Sequence, residues 1–192
     1  MKETRFKIMI VKYADICDDK MLKLFKQEEI NKIKQLEFGQ DNLRVDLDAI
    51  LEIMNLRKHS TFVRAVSDFD PSTQTVTFSV ADSSGIRRSL LAQGIGKSIY
   101  YKINHQLNDA CSNHFALEFA HRLIMPKKLI YLAMKRYRIM ASKAQEDPDE
   151  FTLLNWDQLD VNRLLTYVAH TLGVTQTMLV YEMHNLNILE RR

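Results

Sequence analysis

The chain has 192 residues, of which 46% are hydrophobic, and its 27 basic and 24 acidic side chains give a formal charge of +3. This composition allows a buried core for one domain, or for one domain with a small appended lobe, and the near balance of charge excludes wholesale electrostatic binding to nucleic acid or to an anionic membrane. The sequence lacks a membrane-spanning run, a signal-peptide core and the cysteines of a disulfide framework or zinc site, so we expect a cytoplasmic protein in which Cys17 and Cys111 are small buried side chains.

The chain has only five glycines and three prolines, so long segments contain no residue that breaks a helix. Apolar residues in these segments recur at intervals of three and four, which predicts a mainly helical protein. A first amphipathic helix is predicted over residues 21–36, and it closes near Gly39. Asp46 is predicted to cap a second helix. The apolar residues of this second helix are Ile50, Ile53 and Met54.

A change of pattern occurs at residues 61–67 and 75–81, which are rich in valine, phenylalanine and threonine. Alternating apolar residues of the second segment share one face, as expected for a strand. They are Val76, Phe78 and Val80. Residues 68–74 between the two segments are rich in turn formers. We therefore predict a β-hairpin over about residues 61–81, packed against the helices.

Three helices are predicted after the hairpin. Their spans are Ile86–Tyr101, Asp109–Met125 and Lys127–Lys143. The acidic, proline-containing stretch 145–150 is predicted to be an exposed linker between a core, residues 1–144, and a C-terminal segment, residues 151–192. Two further helices are predicted in that segment, on either side of a glycine turn. They span Leu159–Leu172 and Thr175–Leu189.

The first helix after the hairpin contains Gln93-Gly94-Ile95-Gly96-Lys97, which has the frame of a zinc-peptidase helix. In H-E-x-x-H, two histidines on one helix face hold zinc, and the glutamate polarises the metal-bound water. Gln93, Gly94 and Lys97 replace these three residues with a poor ligand, no base and a positive charge. Glycines inside a helix cost about 1 kcal/mol each relative to alanine, so Gly94 and Gly96 predict close packing against a neighbouring element.

The run from Arg88 to Lys97, R-S-L-L-A-Q-G-I-G-K, resembles the R-F-T-L-A-H-E-L-G-H segment of ImmA/IrrE metallopeptidases. The run from Phe115 to Pro126, F-A-L-E-F-A-H-R-L-I-M-P, resembles their E-A-N-x-F-A-x-x-L-L-M-P segment, in which the glutamate is the third zinc ligand. The hairpin and the C-terminal helices also follow the family order, so the resemblance covers about residues 45–190. It implies an α+β, mainly helical fold with a zincin-like core and a helical, helix-turn-helix-like C-terminal segment.

All four functional positions of that family differ in this chain: Gln93, Gly94, Lys97 and Phe115. The resemblance therefore implies no catalytic residue, bound metal or other cofactor here, and it predicts a catalytically inactive protein. Family members are often linked to mobile elements and act on partner repressors. By this analogy we expect protein–protein interaction, with a transcriptional regulator of a mobile element as partner, through a groove beside Gln93, Lys97 and Phe115. The sequence assigns no oligomeric state.

An alternative metal site would use His114, Glu118 and His121, which lie at i, i+4 and i+7 on one face of the predicted helix 109–125. Such a site would make the chain a zinc metallopeptidase with relocated ligands. The simpler interpretation is a solvated polar stripe that Arg122 completes, because apolar side chains occupy the rest of the helix circumference.

A weak DNA-binding regulator is a further alternative, because Ala169, Gly173 and Leu179 have the spacing of a helix-turn-helix motif. Residues 175–186 contain no lysine or arginine, however, and phosphate neutralisation dominates affinity for DNA. Direct binding of nucleic acid is therefore disfavoured. A helix pair packed on the core is the preferred interpretation.

Basic residues concentrate instead on the helix predicted over residues 127–143. A helix of this kind presents either a solvated face, which is the simpler interpretation, or a contact surface for an acidic partner or nucleic acid. The predicted interaction residues are Lys97, Lys127, Lys128, Lys135, Arg136 and Arg138.

Overall fold

The computed structural model describes residues 11–39, 42–107, 109–143 and 161–189. In these ranges the helices are α1 (Tyr13–Ile16), α2 (Asp19–Leu22), α3 (Gln27–Ile33), α4 (Leu47–Ile53), α5 (Ser84–Asn104), α6 (Asp109–Ile124), α7 (Lys127–Lys143), α8 (Val161–Leu172) and α9 (Gln176–Asn185). The strands are β1 (Arg57–Thr61), β2 (Ser67–Asp70) and β3 (Thr75–Ser79). The prediction of a mainly helical α+β protein with a small sheet against the helices is confirmed.

The single helix predicted over residues 21–36 is wrong, because the chain forms the two short helices α2 and α3 there. The turn between them buries Phe25 in the core. At the start of α3, Lys26 N donates a hydrogen bond to Glu29 Oε2 at 2.8 Å, which satisfies a main-chain group that a continuous helix would have bonded internally. The apolar spacing fits one helix or two, so packing and capping decide the break.

Asp46 caps α4 as predicted, because its Oδ1 accepts a hydrogen bond from Ala49 N at 3.0 Å. A cap of this kind contributes about 1 kcal/mol to stability. Ile50 and Met54 are buried behind it, and Ile53 is half-buried. The apolar face of α4 thus joins the core next to the sheet.

The sheet has the strand order β1-β3-β2, with β1 parallel and β2 antiparallel to β3. A hairpin is present, but its first strand was wrongly placed. β2 begins only at Ser67 and includes Phe69, which was expected in the turn but is buried. β1 was not predicted because its side chains are polar and mostly exposed, so main-chain pairing with β3 defines it rather than apolar alternation.

The C-terminal helices pack on the preceding part of the chain, with α8 against α7 and α9 against α8. Between them, Gly173 has a φ of 68°, a left-handed conformation that glycine adopts without steric cost. Lys127 Nζ donates to Leu186 O at 2.9 Å and connects α7 to the end of α9. The predicted linker 145–150 and the segment boundary lie outside the described residues. Among the described helices, none is long and apolar enough to cross a membrane.

The two cysteines have different environments. Cys17 is buried, as predicted, and this burial raises the pKa of its thiol to about 12. Cys111 is exposed, so the prediction that it is buried is wrong. The buried face of α6 passes through Ser112 and Ala116, and Cys111 lies off that stripe.

Candidate functional site

The candidate site lies between α5 and the edge strand β2. Gln93 and Lys97 are one turn apart on α5, at the positions of the two histidines in the zinc-peptidase pattern. Ser67 Oγ at the start of β2 donates to Leu90 O at 2.7 Å, which holds the strand against this helix. The site is therefore built where the sheet meets the middle of the longest described helix.

Lys97 is bound to the main chain of β2. Its Nζ donates to Ser67 O at 2.7 Å and lies 3.7 Å from Asp68 Oδ1. Only 14% of the lysine side chain is exposed, against 67% for Asp68. An ammonium group with so little access to water needs such acceptors, because burial of an unpaired charge is costly. Lys97 was predicted to contact a partner, but its ammonium is already engaged within the chain.

Two main-chain groups on the outer edge of β2 are hydrogen-bonded by the side chains of Asp68 and Lys97. Ser79 N donates to Val66 O at 2.9 Å, so the alternation of an antiparallel pair directs the main-chain groups of Ser67 and Phe69 away from β3. Phe69 N donates to Asp68 Oδ1 at 2.8 Å, and Ser67 O accepts from Lys97. Two outward groups of an edge strand, which otherwise attract further strands, are thus bonded locally.

Gly94 and Gly96 lie where neighbouring elements approach α5 closely. A Cβ atom on Gly94 would overlap Val76 Cγ1 of β3, and one on Gly96 would lie 2.9 Å from Ala116 Cα of α6. Carbon atoms in ordinary contact are about 3.5–4.0 Å apart. The predicted close packing is confirmed. Gly94 allows β3 to approach α5, and Gly96 allows α6 to approach it.

Gln93 and Phe115 also have partners of their own. Gln93 Nε2 donates to Ser89 Oγ at 3.2 Å within α5. The ring of Phe115 packs on Tyr100 and Phe119, with centroid separations of 5.5 and 6.3 Å. An amide, an ammonium group and a phenyl ring are not among the usual zinc ligands, which are thiolate, imidazole and carboxylate. These positions are arranged for packing and pairing.

No protein-family model and no curated protein matches this chain. Within the four described ranges, no group of three or more histidine, cysteine, aspartate or glutamate side chains is placed to hold a metal ion.

The polar residues predicted as one stripe of α6 separate into two groups. His114 and Glu118 are exposed, with 3.6 Å between Nε2 and Oε1, and Arg122 Nη2 lies 4.0 Å from Glu118 Oε2. His121 is only 7% exposed. The prediction of a solvated position for His121 is therefore wrong, and His114, Glu118 and His121 do not converge as a set of metal ligands.

His121 instead pairs with Glu182 of α9. Its Nδ1 lies 3.3 Å from Glu182 Oε2, and the two side chains are 8% and 6% exposed. The ring of Tyr181 packs edge-on against the imidazole at a centroid separation of 5.7 Å. Sequence reasoning missed this pair, since its members belong to different predicted helices.

The basic residues of α7 do not form one exposed patch. Lys127 Nζ and Lys128 Nζ donate to main-chain oxygens of other elements, at 2.9 and 3.2 Å. Lys135 is exposed, while Arg136 and Arg138 are half-buried. Lys127 and Lys128 are themselves exposed, so three of these five cations remain on the surface.

The turn between α8 and α9 has the buried residues of the predicted helix pair. Ala169, Val174 and Leu179 are buried, and Thr175 Oγ1 accepts from Met178 N at 3.2 Å to cap α9. The exposed side chains of α9 carry no positive charge. They are Gln176, Thr177, Tyr181 and Asn185. This surface offers no cation for phosphate, which weakens the DNA-binding alternative.

An exposed apolar feature was not anticipated. Phe62 and Val63, here called the apolar loop, are 86% and 63% exposed in the connection between β1 and β2. Ala65 N donates to Asp82 Oδ2 at 3.0 Å and fixes the end of this connection. The two adjacent side chains form a small exposed apolar patch. Both residues belong to the first strand of the predicted hairpin, so the sequence did not indicate an exposed loop.

Proposed function

We propose that this chain is a catalytically inactive protein of the ImmA/IrrE type that acts through protein–protein interaction. In this proposal the sheet, α5 and α6 form a zincin-like core. The partner, by analogy with that family, is a transcriptional regulator of a mobile element. The order of elements supports the proposal, because the sheet precedes the helix with Gln93 and Lys97, and α6 with Phe115 follows it.

The observation that carries the proposal is the position of the Lys97 ammonium. It stands at the second histidine position of the zinc-peptidase pattern and is bonded to Ser67 O at 2.7 Å. A catalytic zinc ion normally needs three protein ligands, and a cation is repelled by an ammonium group. Val76 also fills the space next to Gly94 that a glutamate side chain would enter. Both features favour a scaffold over a hydrolytic site.

The apolar loop supports the interaction part of the proposal. Covering the Phe62 side chain would stabilise a complex by about 25 cal/mol for each Å² of apolar surface removed from water. The loop leads directly into β2, the strand that Lys97 and Asp68 hold. We therefore propose that the partner contacts Phe62 and Val63 beside the edge of β2.

Zinc binding tests the inactive assignment. Protein purified without an affinity tag, incubated with excess zinc and desalted, is expected to retain much less than one zinc per chain and to show no hydrolysis of casein. Elemental analysis by mass spectrometry measures the metal content. Stoichiometric zinc that disappears in the His114→Ala variant would establish the relocated-ligand alternative, and zinc that persists in that variant would equally contradict the proposal.

Substitution of the apolar loop tests the interaction. Phe62→Ser is expected to reduce partner recovery from the native host at least about tenfold, because truncating an aromatic anchor often costs 2 kcal/mol or more. Ile103→Ser is the matched control, since Ile103 is also exposed, at 54%, but lies near the end of α5. Quantitative mass spectrometry after cross-linking measures recovery. Equal recovery by wild type and Phe62→Ser, or equal loss in both variants, would contradict the proposed surface.

A further inference from the structure

A cleft of about 620 Å³ lies between α4, the sheet and the first turn of α5, away from Gln93 and Lys97. Its charged lining includes Arg44, Asp46, Asp48, Lys58, Arg87 and Arg88. Charges of both signs are present, so the ability of the cleft to bind an ion depends on which of them are already paired.

The carboxylates of the cleft are engaged. Asp48 Oδ1 lies 2.7 Å from Lys58 Nζ, and Asp46 accepts the capping bond of α4. Glu37, which also lines the cleft, lies 3.7 Å from Lys12 Nζ. Asp48 and Glu37 are therefore paired with lysines, whereas Asp46 keeps its charge and accepts a main-chain hydrogen bond.

The three arginines have no such partner. In the described part of the chain, no carboxylate lies within ion-pair distance of Arg44, Arg87 or Arg88. Arg88 Nη2 donates to Val45 O at 2.7 Å, but its Nε is buried without an acceptor. Arg44 Nη2 donates to His170 O at 3.1 Å. Both groups keep unused N–H donors, because a guanidinium group has five.

Arg44 and Arg88 lie side by side over Gly173. Arg44 Nε and Arg88 Cδ are 2.9 and 3.1 Å from the point that a Cβ on Gly173 would occupy. Burial is the main cause that lowers the pKa of Arg88, and the charge of Arg44 lowers it further, while Tyr13, Asp46 and Asp48 oppose the shift. Two adjacent cations without an ion-pair partner repel each other, so an anion that bridges them would be bound favourably.

We propose that Arg44, Arg87 and Arg88 form a binding site for a phosphate group. A phosphate dianion supplies two charges and several acceptor oxygens to adjacent guanidinium groups, whereas a carboxylate supplies one charge. Arg87 ends the first turn of α5 and Arg88 follows it, and that first turn contains no acidic residue to compete. The site is independent of the proposed partner interaction, because it shares no residue with the apolar loop.

Titration with inorganic phosphate tests the site. Saturable binding is expected in calorimetry at pH 7.5 and constant ionic strength, with no response to chloride. Arg44→Gln and Arg87→Gln are each expected to weaken phosphate binding about tenfold, the loss that corresponds to one charge-assisted hydrogen bond. Both side chains are exposed, so the variants are expected to fold.

Arg57→Gln is the matched control, because Arg57 is an exposed arginine of β1 outside the cleft. Its affinity for phosphate is expected to stay within about twofold of wild type, since exposed charges are screened. Glycerol phosphate and a phosphoserine peptide then distinguish a small ligand from a phosphorylated protein segment, and tighter binding of either one supports the site. No saturable binding of inorganic phosphate, or equal weakening by Arg57→Gln and Arg44→Gln, would overturn the proposal.

Discussion

Replacement of Gly96 by alanine is expected to lower the free energy of unfolding by about 2 kcal/mol, although helix propensity alone predicts a gain of about 1 kcal/mol. The new methyl group would lie 2.9 Å from Ala116 Cα and 3.0 Å from Phe119 Cδ1. Since Ala116 contributes main-chain atoms, α5 and α6 would have to separate. Overpacking of this kind costs about 1–3 kcal/mol or more, and the backbone contact places it at the upper end.

Urea denaturation followed by helical circular dichroism measures this loss, and the melting temperature is expected to fall by about 4–8 °C. Gly39→Ala is the control, because a Cβ there would lie 3.7 Å from the atoms of Asn42, an ordinary contact distance. Its stability is expected to change by less than about 0.5 kcal/mol. A Gly96→Ala variant as stable as wild type would show that α5 and α6 are not packed as described.

Removal of the His121 side chain is expected to have a larger effect. His121→Leu leaves the Glu182 carboxylate, 6% exposed, with Asn185 Nδ2 at 3.5 Å as its remaining side-chain donor in the described ranges. A buried charge without its partner costs about 3 kcal/mol or more. Glu182→Leu is expected to cost less, about 1–2 kcal/mol, because a neutral imidazole is easier to bury than a carboxylate.

The double variant His121→Leu with Glu182→Leu separates pairing from packing. It is expected to regain most of the stability lost in His121→Leu, since two apolar side chains replace a buried pair at little net cost. Glu118→Leu is the surface control on the same helix, where the exposed pairs with His114 and Arg122 are expected to contribute less than about 1 kcal/mol. Additive losses in the double variant would show that His121 and Glu182 do not interact.

Apolar periodicity predicted the long helices well. α7 spans Lys127–Lys143 as expected, and Pro126 separates it from α6 because proline fits a first turn but not a helix interior. Periodicity failed where main-chain pairing or capping decides the structure. β1 has an exposed, polar face, and α3 begins at a cap made by Glu29. Neither feature alters the spacing of apolar residues.

The candidate site was predictable in composition but not in contacts. Gln93, Gly94 and Lys97 showed that zinc-binding side chains are missing from this helix, and the two glycines predicted close packing. The elements that approach them could not be inferred. Lys97 was expected to face a partner, yet it donates to Ser67 O, 30 residues earlier in the chain. Likewise, Phe115 joined an aromatic cluster whose members lie on two helices.

The sequence by itself determined the helical character of the chain, the second strand of the hairpin and the absence of the usual zinc ligands at Gln93, Gly94, Lys97 and Phe115. These properties depend on residue type and on repeats within one turn or one strand. Only the tertiary structure decided that Gly94 meets β3, that Gly96 meets α6, and that His121 is buried against Glu182. Such contacts join residues from separate elements, and their geometry follows from how the whole core packs rather than from any local pattern.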